Sequence, residues 1–446
     1  MEVPAGSGWR PSPPETKPQA RLPAEIFSSR VPARDLNDLH LADLHERAAE
    51  QGIEAYRKLR RDELIAALEP DEVPAAGTLL AADQETALET DAEGTLEPEA
   101  EEPTVEVVGI LELTRQRFGF LRQSGLHPHP DDVYISASQV RRCELRPGDE
   151  VAGPAREPRR GERHRALVHV DRVNGVEPLS EERPEFDALA PVPPERRVPL
   201  DTDPADVLLR AVDLFAPFAL GQRVLVRGAP RSGRTSLLRG LARAATEARL
   251  HLIVLLIDER PEEATVWREE RPDAELAIAT AEMAPRDQVH VAELALDRGR
   301  RLAETGEDVV VLADSLSRLA LAAGNPNEVK RLFGSGRNLA GGGSLTVVGT
   351  VLAGAPDEGE AERAVLTTES SLITLDAELA ARGTYPAIDL RECRVSNEDQ
   401  LRGADELDAI RRLRSTLADM APEEAAGELR ERIEGSASNA QLLERL

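Results

Sequence analysis

One segment restricts the fold of this chain more than any other. Arg223-Val-Leu-Val-Arg227 reads as a short buried strand, Gly228-Ala-Pro-Arg-Ser-Gly233-Arg234-Thr235 follows it, and Ser236-Leu-Leu-Arg-Gly-Leu-Ala-Arg-Ala-Ala-Thr-Glu-Ala248 reads as a helix. A glycine loop between a strand and a helix turns backbone N–H groups around an anion, and the helix N-terminus adds partial positive charge. Around it the grammar is β-α-β-α. The apolar runs Leu250–Asp258, Asp308–Asp314 and Ser344–Leu352 read as strands, with a helical stretch from about 260 to Glu304. Near-continuous apolar strands separated by helices predict a parallel sheet covered on both faces.

Two acids complete the pattern. Glu259 ends one apolar strand, where a carboxylate can orient or deprotonate an attacking water. Asp314 ends another, where a carboxylate can hold a magnesium shell, and Thr235 offers that ion a hydroxyl. An acid after a strand is common in loops. The ordered set of glycine loop, Glu259 and Asp314 is what predicts a nucleoside triphosphatase core.

Upstream the text changes. Five short β-rich runs (VEVVGILEL, FGFLR, DVYIS, DEVAG and ALVHVDRV) alternate with Gly, Pro and Asp turns between residues 105 and 178. Five strands in so short a span predict a small closed barrel. The whole chain is acidic, with 55 Lys plus Arg against 82 Asp plus Glu and a net charge of −27. The stretch Arg115–Arg172 runs the other way, with twelve arginines and eight acids. Phe118 and Phe120 sit two residues apart on one strand, Tyr134 is placed to join them, and Arg122, Arg141 and Arg142 lie nearby. Aromatic rings among arginines suit single-stranded nucleic acid, through base stacking and phosphate neutralisation. The competing reading makes Phe118 and Phe120 core residues of the barrel.

The remaining organisation follows from composition. Residues 1–34 are rich in Pro, Ser and Arg and read as a disordered leader. Residues 35–70 carry leucines at helical spacing and form a small helical unit. Residues 71–104 read as an acidic disordered linker; over 71–106 there are twelve acids and no Lys or Arg. The barrel takes 105–178, a connector 179–205, and the α/β domain 206–446, ending in two helices from about Ala404. No apolar run approaches the ~18 residues of a membrane span. Cys143 and Cys393 are far apart and without His or Cys companions, which excludes a disulfide scaffold and suits a reducing cytoplasm. The N-terminus shows no secretory h-region.

In this order the strings resemble the bacterial transcription termination factor Rho family. GFLRQSG, PDDVYISASQVRR and GERHRAL follow that family in the barrel; VLLIDERPEEAT, DSLSRLA, RLFGSGRNLAGGGSLTVVGTVL and TYPAIDL follow it in the α/β domain. The resemblance runs from about Asp35 to the C-terminal region. It implies a multidomain chain: a small N-terminal helical subdomain, an OB or cold-shock-like barrel holding RNA, and a RecA-like P-loop ATPase domain. It also implies a homohexamer with ATP sites between subunits, RNA-dependent ATP hydrolysis, and indirect action on the RNA polymerase complex. Carried over residue by residue, it assigns RNA to Phe118, Phe120, Arg122, Tyr134, Arg141, Arg142, Glu162 and His164. Nucleotide goes to Gly228, Arg231, Ser232, Gly233, Arg234, Thr235, Ser236, Arg260 and Tyr385, catalysis to Glu259, and Mg²⁺ to Thr235 and Asp314.

The chain departs from the family at four places in the motor. Arg234 stands where the phosphate-loop lysine is usual, a planar fork in place of a point charge. Only Gly324–Glu328 remains of a long pore loop, and the second pore loop, Gly354–Arg363, holds four acids. The arginine finger position falls near Ser396, with Arg391 and Arg394 close by as substitutes. In the barrel, His164 replaces a third aromatic. These departures keep a second reading open: a degenerate paralog that binds RNA and nucleotide but translocates poorly and regulates termination. A third is a RecA-like ATPase with another substrate, against which the basic aromatic barrel argues.

Overall fold

The computed structural model describes residues 103–180, 182–354 and 359–446. The leader, the helical unit over 35–70 and nearly all of the acidic linker lie outside the described residues.

Six strands build the first sheet: β1 (Thr104–Leu113), β2 (Gly119–Arg122), β3 (Val133–Ile135), β4 (Glu150–Arg156), β5 (Arg165–Leu167) and β6 (Arg172–Val173). They run β1-β2-β3-β5-β4-β6, and β1 also pairs with β4, so the sheet closes into the expected small barrel. Alternation decides what fills it. Val107, Leu111, Leu121, Val133, Ile135 and Val151 point inward and are buried. The last expected strand, ALVHVDRV, breaks into β5 and β6. Val168 N donates to Pro154 O and Asp171 N to Ala152 O, so three steps on one strand face two on the other. That is a bulge, placed where Pro154 has no N–H to give to the ladder.

The second sheet holds β7 (Pro191–Val192), β8 (Arg223–Gly228), β9 (His251–Glu259), β10 (Glu275–Thr280), β11 (Asp308–Asp314), β12 (Arg337–Leu339), β13 (Ser344–Leu352), β14 (Ser371–Leu375) and β15 (Arg394–Val395). Its main path is β10-β9-β11-β13-β8-β14-β15. All pairs from β10 to β14 are parallel, and β15 closes the edge antiparallel. Apolar clusters cover both faces, which explains the near-continuous apolar runs. The stretch read as helical to Glu304 is a correction. It is a helix at Pro261–Glu270, then β10, then a helix at Pro285–Glu304. Pro272 cannot continue the first helix, and Pro285 opens the second. Between them Leu-Ala-Ile-Ala is too short and too alanine-rich to announce a strand. The helices Ala404–Ala418 and Pro422–Glu434 stand where the sequence places them.

The barrel is plugged into the α/β domain. Leu126, in the β2–β3 loop, is 1% exposed and packs in a core cluster with residues of β9 and β10. Its N–H donates to Leu276 O of β10 at 3.1 Å. Arg298, also buried, pairs with Glu150 of the barrel at 3.1 Å and Glu275 of β10 at 3.0 Å. Leu126→Ala is therefore expected to cost about 2–5 kcal/mol, seen as a lower urea midpoint. An unchanged midpoint would show that the plug contributes nothing. Both cysteines are buried and unpaired. Among the described residues no helix is long and apolar enough to cross a membrane.

Candidate nucleotide site and nucleic-acid interface

The carboxyl ends of the parallel strands gather the first group of residues. β8 ends at Gly228, β9 at Glu259 and β11 at Asp314. Leu352 of β13 lies opposite Gly228, and Asp314 opposite Leu256. This edge is where open α/β sheets bind ligands. The loop between β8 and the helix Arg234–Glu247 is bent by two residues with positive φ, Arg231 at 64° and Gly233 at 101°. A side chain at Gly228 would put its Cβ 2.3 Å from Ser232 Oγ. Ser232 is buried, and among the described residues its Oγ has no hydrogen-bond partner. The helix starts at Gly233 without a side-chain cap, which leaves its first N–H groups for an anion. Arg234 and Thr235 open the first turn, half-buried, and Arg231 and Ser236 are exposed. Tyr385, also exposed, shares a cavity of about 320 Å³ with Ser236 and Gly240.

The two acids differ in setting. Asp314 is buried, and its Oδ1 accepts from Thr350 Oγ at 2.7 Å. Burial pushes the Glu259 carboxyl above its ordinary range; the Arg318 guanidinium opposes the shift and the Asp314 charge adds to it. Arg318 binds Glu259 Oε1 directly and donates to Asp258 O at 3.0 Å. Sequence reasoning missed this contact. The signal was the spacing Asp314-Ser-Leu-Ser-Arg318, because a helix starting at Leu316 turns its third residue back to the sheet edge. Among the described residues Glu259 Oε2 accepts only a long bond from Arg260 N, at 3.3 Å, and Arg260 is exposed.

The finger substitutes are engaged within their own chain. Arg391 donates to Ala418 O at 2.9 Å and Met420 O at 2.6 Å, and Arg394 pairs with Glu369 at 2.6 Å. The first pore connection is two residues: Gly324 ends the helix Leu316–Ala323, and Asn325 caps the helix Pro326–Phe333. In the second, Glu362 pairs with Arg227, while residues 355–358 lie outside the described residues.

The aromatic group forms on the barrel's outer face. Phe120 lies opposite Tyr134 across β2 and β3, while their neighbours Leu121, Val133 and Ile135 fill the core. The Phe118 and Phe120 rings are 5.9 Å apart, Phe118 and Tyr134 5.6 Å, Phe120 and His164 5.1 Å. Phe118 and Tyr134 are each 5% exposed, so they back the platform; Phe120 and His164 are half-buried and form its open surface. The core reading of the phenylalanines thus describes the burial of Phe118 but not that of Phe120. Phe120→Ala is expected to weaken single-strand binding by about 1–3 kcal/mol in an anisotropy titration. Unchanged affinity would count against the platform.

Arg122 differs from the sequence picture of an open phosphate contact. It is 8% exposed and pairs with Glu112 at 2.6 Å and with Asp132, which is 1% exposed. Its guanidinium carbon is 5.7 Å from the Phe120 ring centre. The charge is already matched, and the side chain braces the platform. Glu162 is held below the usual carboxylate range by its bidentate pairing with Arg156, at 2.6 and 2.7 Å. His164 Nδ1 lies 3.1 Å from Asp132 O. Arg141 and Arg142 stand exposed on the last turn of the helix Ala137–Arg142, which Gln139 ties to Leu167 O at 2.9 Å.

Comparison with known proteins follows this division. Residues 107–179 match the Rho termination factor, RNA-binding domain, and 35–69 the Rho termination factor, N-terminal domain. Residues 209–335 match the ATP synthase alpha/beta family, nucleotide-binding domain. Transcription termination factor Rho of Bacillus subtilis is 36% identical over 415 residues, which cover 87% of this chain and 90% of that protein. The chain belongs to the Rho family. Rho of Streptomyces lividans is 37% identical over 377 residues, 78% of this chain and 53% of that protein. Rho of Rhodopirellula baltica is 36% identical over 365 residues, 75% of this chain and 70% of that protein. The barrel is thus a Rho RNA-binding domain, and the parallel sheet belongs to a P-loop nucleotide-binding domain.

Proposed function

We propose that this chain is an RNA-dependent ATPase and helicase of the Rho type that releases transcripts. One observation carries the reading. A single-strand platform and a sheet edge bearing phosphate loop, Glu259 and Asp314 are built into one body, joined through Leu126 and Arg298. The ligand is ATP with Mg²⁺. The phosphate loop fits it: Gly228 leaves a cradle that a Cβ would fill, and Ser232 Oγ is a buried group awaiting a partner. Arg231, Ser232, Gly233 and Arg234 take the phosphates. Thr235 and Asp314 are the groups that hold the metal, which supplies charge neutralisation at the phosphates. Tyr385 and Ser236 flank the base, and Arg260 stands beside the phosphates. Arg318 occupies Glu259 Oε1, so Oε2 is the oxygen that takes the proton of the attacking water.

RNA stacks on Phe120 and His164, backed by Phe118 and Tyr134. Arg122 and Glu162 hold the platform, and Arg141 and Arg142 add positive charge beside it. The chain works in the cytoplasm as a homohexamer and meets the RNA polymerase complex through the transcript. The matched relatives carry the name of termination factors and lend the degenerate reading no support. The test is a stalled elongation complex with a C-rich transcript. ATP should free the transcript and a non-hydrolysable analogue should not; transcripts that stay bound with ATP would overturn termination.

A further inference from the structure

A cavity of about 480 Å³ lies at the seam between barrel and motor. The run Arg122–His127 forms much of its barrel wall, with Val108 beside it, while Arg268 and Leu276 come from the motor. Arg122 also touches the RNA platform, at 5.7 Å from the Phe120 ring centre. Residues 120 and 122 share one face of β2, so platform and cavity are neighbours on one strand.

Three features of the cavity lack a partner. Arg268 is exposed on the helix Pro261–Glu270 and, among the described residues, has no hydrogen-bond or ion-pair partner. His127 is half-buried, and its Nδ1, sealed from solvent, has no hydrogen-bond partner among the described residues. Val108 is 52% exposed, an open apolar surface facing the seam. The other charged groups in the wall have direct partners, with two carboxylates sharing one guanidinium. Glu150 and Glu275 both pair with Arg298, Glu275 also takes His251, and Arg122 is bound by Glu112 and Asp132. Arg268 is therefore the charged group of the wall without a direct partner among the described residues. The backbone is also drawn in tightly: Gly125, at φ 86°, leaves no room for a Cβ, which would meet Leu276 O at 2.7 Å.

An apolar shelf, a polar ring and a guanidinium with no partner among the described residues, adjoining a stacking platform, are the parts of a nucleotide site. We propose that the seam is a further RNA subsite: the nucleotide beyond those stacked on Phe120 and His164 rests its base on Val108 and Leu276, presents its edge to His127, and sets its phosphate on Arg268. Burial first, and the Arg268 charge second, keep His127 below its ordinary range, so it meets the base as a neutral imidazole. This subsite rests on the RNA-binding reading of the barrel and extends it onto the motor.

The test compares a cytidine dinucleotide, which covers only the platform, with an oligocytidine of about eight nucleotides, both on the full chain. Arg268→Ala should leave dinucleotide affinity unchanged and weaken the longer strand about three- to tenfold, with the slope of log Kd against log salt falling by about 0.7. Phe120→Ala should weaken both ligands. A 4-thiouridine placed just beyond the platform should crosslink to the peptide containing His127. Arg268→Ala with an unchanged affinity and salt slope for the longer strand would overturn the subsite. Equal weakening of both ligands would also overturn it, by moving Arg268 to the platform. If Phe120→Ala left both ligands unaffected, the platform itself would fall, and the subsite with it.

Discussion

Glu259→Gln is expected to lower RNA-stimulated phosphate release by about 10²–10⁴-fold while RNA affinity stays at its starting value. The substitution keeps the shape of the side chain and removes the atom that accepts a proton. Arg318 fixes Oε1, so the loss falls on Oε2. RNA affinity is unaffected because the platform lies on a different sheet, on the outer face of the barrel. The setting of Glu259 also fixes the sign of a pH effect. Burial and Asp314 raise its carboxyl and Arg318 holds the rise back. The working form is the carboxylate, so the rate falls as the pH drops through a value above the ordinary carboxylate range. Unchanged turnover in the Gln variant would remove Glu259 from the mechanism. An acid limb within the ordinary range would show that burial does not govern it.

Arg122→Ala is expected to destabilise the protein by about 3–5 kcal/mol, read as a lower urea midpoint. Removing the guanidinium leaves Asp132 buried with its partner gone. Asp132 also accepts from His129 N at 2.7 Å and Gln123 N at 3.3 Å, so it is built into the β2–β3 loop that carries Leu126. The cost therefore spreads from the barrel to its seam with the motor. Phe120→Ala sets the contrast, because it removes a half-exposed ring and should spare stability while weakening RNA binding. If Arg122→Ala left the midpoint unchanged and lowered RNA affinity alone, its charge would belong to the phosphates after all.

Much of this was legible in the sequence, for identifiable reasons. The phosphate loop, Glu259 and Asp314 all sit at strand ends, and the apolar runs mark those ends. The platform was legible because Phe120 and Tyr134 fall on strands whose alternate residues are apolar, with Phe118 directly before the first of them. What stayed hidden was set by contacts between distant segments. Nothing local shows that Arg122 faces Glu112 and Asp132, ten residues away on either side. β10 was hidden by its alanines, and the bulge between β5 and β6 by the role of Pro154 on the opposite strand. Leu126 reads as an ordinary loop leucine until the motor surrounds it. Arg391 and Arg394 looked free for a neighbouring subunit, yet their partners, the carbonyls at 418 and 420 and Glu369, come from other segments of the same chain.

With both arginines held within their own chain, turnover is the decisive property. The direct measurement is phosphate release by the purified protein with Mg-ATP at low salt, with and without C-rich single-stranded RNA. Release is expected to be slow without RNA and clearly stimulated with it, and the stimulation is expected to be lost in Glu259→Gln. Absence of release, with RNA still bound, would contradict this and leave the barrel as the working part of the chain.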